Sequence, residues 1–230
     1  MKYDVLDKGF VEVLDVLGSE MTVVNSARVS FGKRKEKWDK SDERLVRYLA
    51  KNKHFSPFRH LQVQFHIKAP EFVMRQWYKH VVGIETTSNS AVKDHAWNEI
   101  SGRYVEVEDF YYPQFFRKQS DDNKQASEGE IDDQKQGYFL WEKGLEQIKQ
   151  SYKELLELGV AKEQARAILP LSQYTEVYWT ASFQAIMNFI ELRDEPTAQW
   201  EIQQYTKVLK VIMFYVYPEI TKIWSELYWD

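Results

Sequence analysis

The sequence predicts an α+β fold: a mixed single domain with a central sheet, flanking helices and long helices. Three observations carry this reading. Stretches with strand-like alternation are scattered among stretches of helical periodicity, instead of alternating regularly with them as in a parallel sheet. The 230 residues are 43% hydrophobic, enough for one large core. No internal repeat divides the chain. The expected domain is therefore 1–230, with polar loop insertions at about 83–96 and 117–137.

Residues 2–16 are rich in Val and Leu and read as one or two short strands, broken at Lys8-Gly9. A short helix is expected over 20–28, and GKRKEKWDK (32–40) is a charged loop. Ser41 is placed to cap a helix running to about Asn52, with Leu45, Val46 and Leu49 on one face. From His60 to Lys68 the chain reads HLQVQFHIK. Leu61, Val63, Phe65 and Ile67 alternate with polar residues, so this is a half-buried strand. Pro70 opens a helix, EFVMRQWYKHVV, on which Gln76 and His80 share a face. Residues 83–96 are polar and irregular. Residues 117–137 contain almost nothing apolar and read as a surface excursion or disordered loop. A helix over 138–158 ends at Gly159, and a short helix over 161–169 ends before Pro170. QYTEVYWTA (173–181) reads as a strand. Ser182 caps a helix through Leu192, a long helix covers 196–216, and a short helix closes the chain.

Composition excludes several classes of function. Thirty-one basic against thirty-five acidic residues leave no general attraction for nucleic acid, so a bound anion needs a local arginine cluster. The cysteine count is zero, which removes thiolate catalysis, disulfides and cysteine-ligated metal. No metal site is expected. The first ten residues lack the apolar run of a signal peptide, and no stretch is long enough to span a membrane, so a cytoplasmic protein is expected.

Five constellations could carry chemistry, and each also has a plain structural reading. Gln76 to His80 is either an amphipathic helix with a solvated end or a binding face. In WNEISGRY (97–104), Gly102 beside Ser101 and Arg103 is either a polar turn or a place where backbone amides and a guanidinium meet an anion. Arg166, read as lying on the inward side of Ile168 and Leu169, either pairs with Glu163 or another acid or holds an anion. Asn188 among Ile186, Met187, Phe189 and Ile190, with Arg193 following, is either a helix-end arrangement or a ligand contact. His54 and Ser56 lie in a turn before Pro57.

In combination these motifs resemble a known family. HFSPFRHLQVQFHIKAPEFVMRQWYKH, NEISGRY, ARAILPLSQYTEVYWTASFQAIMNFIELR and AQWEIQQY occur in the order found in the flavin-dependent thymidylate synthases. The resemblance runs from about Met1 to Tyr217, with the two polar loops unmatched. It implies an enzyme making dTMP from dUMP, with FAD as cofactor, methylenetetrahydrofolate as carbon donor and NADPH as reductant. It also implies a homotetramer whose active sites each draw on several subunits. No enzyme thiol is needed in this chemistry, in keeping with a cysteine-free chain. By the same resemblance, Gln76, Glu99, Ser101, Gly102, Arg103 and Arg166 hold the nucleotide, with Lys79 as a phosphate contact. Arg193 lies beside the uracil ring. Being unable to act as a base, it stabilises negative charge on the activated pyrimidine. His54, Ser56, Lys79, His80, Glu99, Ser182 and Asn188 fall where the family contacts the flavin. Ser101 has no base spaced to activate it and is assigned to binding.

The chain departs from the family pattern in places. The family's Arg-His-Arg triplet is Lys79-His80-Val81 here, and nineteen residues separate Val81 from Ser101, about twelve more than expected. Lysine binds phosphate as a point charge without arginine's fork, and valine cannot bind it. Ser182 stands where the family commonly has Asn, and Gln184 where it has Arg. Lys93, in the insertion beside His95, is placed to supply the missing charge. Two alternatives therefore stay open: a related enzyme that modifies deoxyuridylate at C5 differently, for example by hydroxymethylation, and a non-catalytic nucleotide-binding relative.

Overall fold

The computed structural model describes residues 1–80 and 95–229. The chain opens with a hairpin, β1 (Lys2–Val5) and β2 (Gly9–Leu17), interrupted at Lys8 as the sequence predicts. Helix α1 (Glu20–Arg28) starts from a Ser19–Thr22 capping box. Helix α2 (Lys40–Lys51) is capped by Asp39 and not by Ser41. The Asp39 carboxylate accepts from the backbone amides of Ser41 and Asp42, and a carboxylate suits a helix N-terminus better than a neutral hydroxyl.

Strand β3 (Gln62–Pro70) runs straight into α3 (Glu71–Trp77). That helix is five residues shorter than the sequence suggests. Its buried face, Val73, Met74 and Trp77, ends at Trp77; Tyr78 and Lys79 are exposed, and Tyr78 meets only the edge of Trp97 at 6.4 Å among the described rings. His80 therefore lies past the helix end and does not share a helix face with Gln76. His95 and Ala96 are not irregular either: they begin strand β4 (His95–Glu99), which pairs with the later strand β7 (Tyr174–Ser182). The remainder of the 83–96 insertion up to residue 94, with Val81 and Lys93, lies outside the described residues.

Of the two readings given for 117–137, a surface excursion or a disordered loop, the structure has an ordered excursion. It forms a two-stranded ribbon of β5 (Arg117–Gln119) and β6 (Ser127–Glu130), then the first turn of α4 (Gln134–Glu157), capped by Asp133. Three- and four-residue strands are too short to show alternation. The ribbon is held by a tertiary contact instead: Arg117 donates to both carboxylate oxygens of Glu201 at 3.0 and 2.9 Å, and Glu201 is 3% exposed. Gly159, at φ +84°, ends α4 in the left-handed conformation that an L side chain resists. Helix α5 (Lys162–Ala165) passes into a 3₁₀ turn, Arg166–Ile168. The last three helices are α6 (Phe183–Arg193), α7 (Trp200–Val216) and α8 (Pro218–Tyr228).

The main sheet has the order β1-β2-β3-β7-β4, and every neighbouring pair is antiparallel. This is an α+β arrangement. One face carries Val63, Phe65, Ile67, Val177 and Trp179 into the core with α6 and α7. Trp77 stacks on Phe189 at 4.5 Å and meets Trp179 edge-on at 5.4 Å, which locks α3 against α6 and the sheet. Truncating such a fully buried tryptophan costs about 3–5 kcal/mol. None of the described helices is long and apolar enough to cross a membrane.

Candidate active site

Where β4 ends at Glu99, the Ile100 amide still donates to the Glu176 carbonyl on β7 at 2.9 Å. The chain then turns. The amides of Tyr104 and Val105 donate to the Ser101 carbonyl at 2.9 and 3.2 Å, and the Arg103 amide donates to the Ser101 hydroxyl at 3.3 Å. The Arg103 Nε donates to the same hydroxyl, also at 3.3 Å. Ser101 thus organises the turn as an acceptor, in keeping with a positioning role and not a nucleophilic one. A Cβ on Gly102 would sit 3.2 Å from Cδ of Arg166, so glycine is what lets that arginine lie against the turn.

This turn forms one wall of a cleft of about 550 Å³. Glu99, Ser101, Gly102, Arg103 and Arg166 all line it, so five of the residues singled out by sequence come together. The cleft also takes in Lys68, Glu71, Gln173, Thr175 and Glu176, which sequence reasoning missed. Lys68 and Glu176 are directly in register on β3 and β7, a pairing that strand alternation alone does not reveal. Nothing in the sequence marks Glu71 or Thr175.

The electrostatics of the cleft are divided. Carboxylates are numerous, but several are already engaged. Lys68 bonds Asp109 at 2.7 Å and lies 3.6 Å from Glu176, and His66 lies 2.9 Å from Glu176. Burial works against the Lys68 charge, yet these carboxylates outweigh it and raise its pKa. Glu71 has its pKa raised, first by burial and then by the nearby charge of Glu99. Arg103 and Arg166 are less tightly tied to this network, although the Arg166 charge works against the rise at Glu71. Both are exposed, and neither forms a salt bridge among the described residues, although Lys162 close by pairs with Glu106 at 3.2 Å. The reading of Arg166 as an inward arginine is therefore corrected: it faces the cleft and solvent, because the 3₁₀ turn at Arg166–Ile168 rotates it outward.

The second group of expected residues does not line this cleft. Arg193, the last residue of α6, donates from Nε to Nε2 of His80 at 2.7 Å. Burial and the adjacent guanidinium hold the His80 pKa down to about 4. The ring is thus neutral near pH 7, with Nε2 as acceptor and the proton on Nδ1. His80 also meets Phe189 edge-on at 5.3 Å. Arg193 forms no salt bridge among the described residues. Gln76 donates to the side-chain oxygen of Gln199 at 2.7 Å, and Lys79 is exposed.

A third group lies at the other end of the sheet. Exposed Ser56 begins the 3₁₀ turn leading into β3, and exposed His54 stacks on Tyr48 with ring centroids 6.2 Å apart. The Gln62↔Ser182 end of the strand pair is six positions from Lys68↔Glu176, which is about 20 Å at the usual rise per residue. Ser182 was expected to face the cofactor. It has no accessible surface, and its hydroxyl accepts from the Ala185 amide as the α6 cap. Asn188 is half-buried on α6. The donor set here is a hydroxyl, an imidazole and carboxamides, and the buried Gln184 Oε1 has no hydrogen-bond partner among the described residues. Neutral, directional groups of this kind fit the polar edge of a heteroaromatic ring such as flavin better than they fit a phosphate.

Comparison with known proteins decides the family. Residues 12–219 match the family model described as thymidylate synthase complementing protein. The flavin-dependent thymidylate synthase of Thermosipho africanus is 43% identical over 208 residues, covering 89% of this chain and 86% of that protein. The chain belongs to the flavin-dependent thymidylate synthase family. Another member, from Thermus thermophilus, is 43% identical over 210 residues, covering 91% of this chain and 73% of its own length. The crystal structure of a UMP/dUMP methylase, PolB from Streptomyces cacaoi bound with 5-Br dUMP, superposes with a TM-score of 0.84. It is 28% identical and covers 98% of both chains.

Proposed function

We propose that this chain converts dUMP to dTMP, using FAD, with methylenetetrahydrofolate as carbon donor and NADPH as reductant. The observation that carries this reading is the pair of exposed arginines, Arg103 and Arg166, brought together across Gly102 with no carboxylate partner among the described residues. Guanidinium forks of this kind bind a phosphate in a bidentate manner. Glu99 and Ser101 then present an acceptor and a hydroxyl to the sugar and base. Lys79 adds a point charge. Gln76, together with Arg193, serves the base, and Arg193 stabilises the negative charge that develops on the pyrimidine as it is activated. His80 holds Arg193 in place. A bound reduced flavin would supply the hydride, for which no side chain here is suited, with His54, Ser56 and Asn188 placed at its ring edge.

The three groups of residues are not joined within one chain, which supports a homotetramer with sites shared between copies. Exposed apolar residues on helix surfaces point the same way: Val211, Phe214 and Tyr215 on α7, and Phe139 and Leu140 on α4. The enzyme is a cytoplasmic, single-domain protein on this reading, with small-molecule substrates and no nucleic-acid or membrane partner.

The test is direct. The purified protein should carry, or take up, a chromophore absorbing between about 350 and 500 nm, as flavins do. It should then oxidise NADPH in the presence of methylenetetrahydrofolate only when dUMP is added, and mass spectrometry should find dTMP. A hydroxymethylated product would point to the related C5 chemistry. A protein that stays colourless with added FAD would point to a non-catalytic nucleotide binder. Because PolB is described as a UMP/dUMP methylase, UMP belongs beside dUMP in the assay.

A further inference from the structure

Glu99 is held from two sides by residues to which the sequence reading gives no role. In the antiparallel pairing of β4 with β7, Glu99 lies opposite Val177 and Trp97 opposite Trp179. Successive odd positions share the helix-covered face of the sheet, so Thr175 is the diagonal neighbour of Glu99 on that face. The contacts follow from this register. The Thr175 hydroxyl donates to Oε1 of Glu99 at 2.8 Å. The Trp97 indole N–H donates to Oε2 at 3.3 Å. Thr175 is 5% exposed, so its hydroxyl has little recourse to water.

We propose that Thr175 and Trp97 are positioning residues that fix the Glu99 carboxylate for the deoxyuridylate nucleotide. This rests on the proposed function, since it takes Glu99 as a nucleotide contact. The physical need is plain. Glu71 lines the same cleft, close enough for the two carboxylates to repel each other. An unrestrained Glu99 would swing away from Glu71 towards solvent. Two donors, one on each oxygen, hold it against that repulsion and leave its remaining lone pairs pointing into the cleft. A preset acceptor loses less conformational freedom when the nucleotide binds.

Thr175→Val removes the hydroxyl and keeps the shape, whereas Thr175→Ser keeps the hydroxyl. Measured by titration calorimetry, Thr175→Val should bind dUMP about tenfold more weakly, which is the worth of one hydrogen bond to a charged group. Thr175→Ser should stay within about twofold of wild type on the same scale. In steady state the Thr175→Val change should fall on KM more than on kcat, a split that general destabilisation does not produce. An independent readout is the Trp97 indole N–H resonance, assigned with Trp97→Phe. Thr175→Val should shift it as the carboxylate swings, and Thr175→Ser should not. A folded Thr175→Val protein with wild-type dUMP affinity and an unmoved indole resonance overturns the inference. If wild type itself fails to bind dUMP, the proposed function falls, while the indole resonance still decides whether Thr175 positions Glu99. Should Thr175→Val not fold, Trp97→Phe carries the test, with a few-fold loss of dUMP affinity expected and no loss as the contrary result.

Discussion

The chain presents its arginines in two different ways. Arg103 and Arg166 are exposed at a glycine turn and form no salt bridge among the described residues. Arg193 is half-buried at the end of α6, with Nε fixed on a neutral imidazole. The first pair suits a ligand group that brings its own charge, such as a phosphate. The second suits charge that appears only during reaction, because an aimed and partly desolvated guanidinium acts without reorganising. An exposed surface arginine captures; one fixed on an imidazole stabilises.

Substitutions can break that contrast, and the largest effect is expected at the fixed arginine. Arg193→Ala should lower kcat about 10²- to 10³-fold, as loss of a charge-stabilising donor does, with a smaller change in dUMP affinity. Arg103→Ala or Arg166→Ala should reverse the pattern, weakening dUMP binding about 10- to 100-fold with kcat less affected. Steady-state kinetics beside calorimetry separates the two. Equal effects on kcat at both places would erase the distinction.

A smaller effect is expected from pH. The folded-state pKa of His80 is lowered to about 4, against about 6.5 in an unfolded chain. Between these values the unfolded chain binds a proton that the folded chain does not. The His80 contribution is therefore complete above about pH 6.5 and is lost as pH falls towards 4. It amounts to about 1–2 kcal/mol once solvent screening of a partly exposed ring is allowed for. Thermal midpoints of wild type and His80→Gln, compared from pH 7 to pH 4.5, should converge as pH falls. A constant gap would mean that the imidazole is not held neutral. The smallest effect is expected for Gly102→Ala, whose added carbon meets only the flexible Cδ of Arg166 at 3.2 Å. A loss of dUMP affinity of about two- to fivefold is expected, since only one side chain must shift.

Much of this was legible in the sequence, for identifiable reasons. Strand β3 was readable because Leu61 to Ile67 alternate cleanly over a half-buried sheet. The end of α4 was readable because a Gly follows the last turn. Ser101 to Arg103 could be singled out only in combination with the other motifs, since alone they read equally as a polar turn; the structure puts all three on the wall of one cleft. The ribbon over 117–130 was not readable: its stability comes from Arg117 reaching Glu201, a pairing between residues 84 apart. The early end of α3 was hidden because Val81 and Val82 keep the apolar pattern going after the helix has stopped. Thr175 was hidden because its role depends on a diagonal neighbour across β4, and strand pairing is not written in either strand alone. Ser182 was legible as the cap of α6, but its burial was not, because a helix cap and a ligand contact call for the same hydroxyl.

The central claim is that the capturing arginines and the fixed arginine serve one nucleotide from different copies of the chain. Arg103→Ala and Arg193→Ala proteins can be mixed, dissociated and allowed to reassociate, then assayed at dUMP well below KM, where each alone is nearly inactive. If the sites are shared, some mixed sites regain both arginines. Activity should then rise to about a quarter of wild type for equal amounts and random exchange. Activity that stays at the level of the separate variants, in a sample shown by native mass spectrometry to contain mixed oligomers, would contradict the claim.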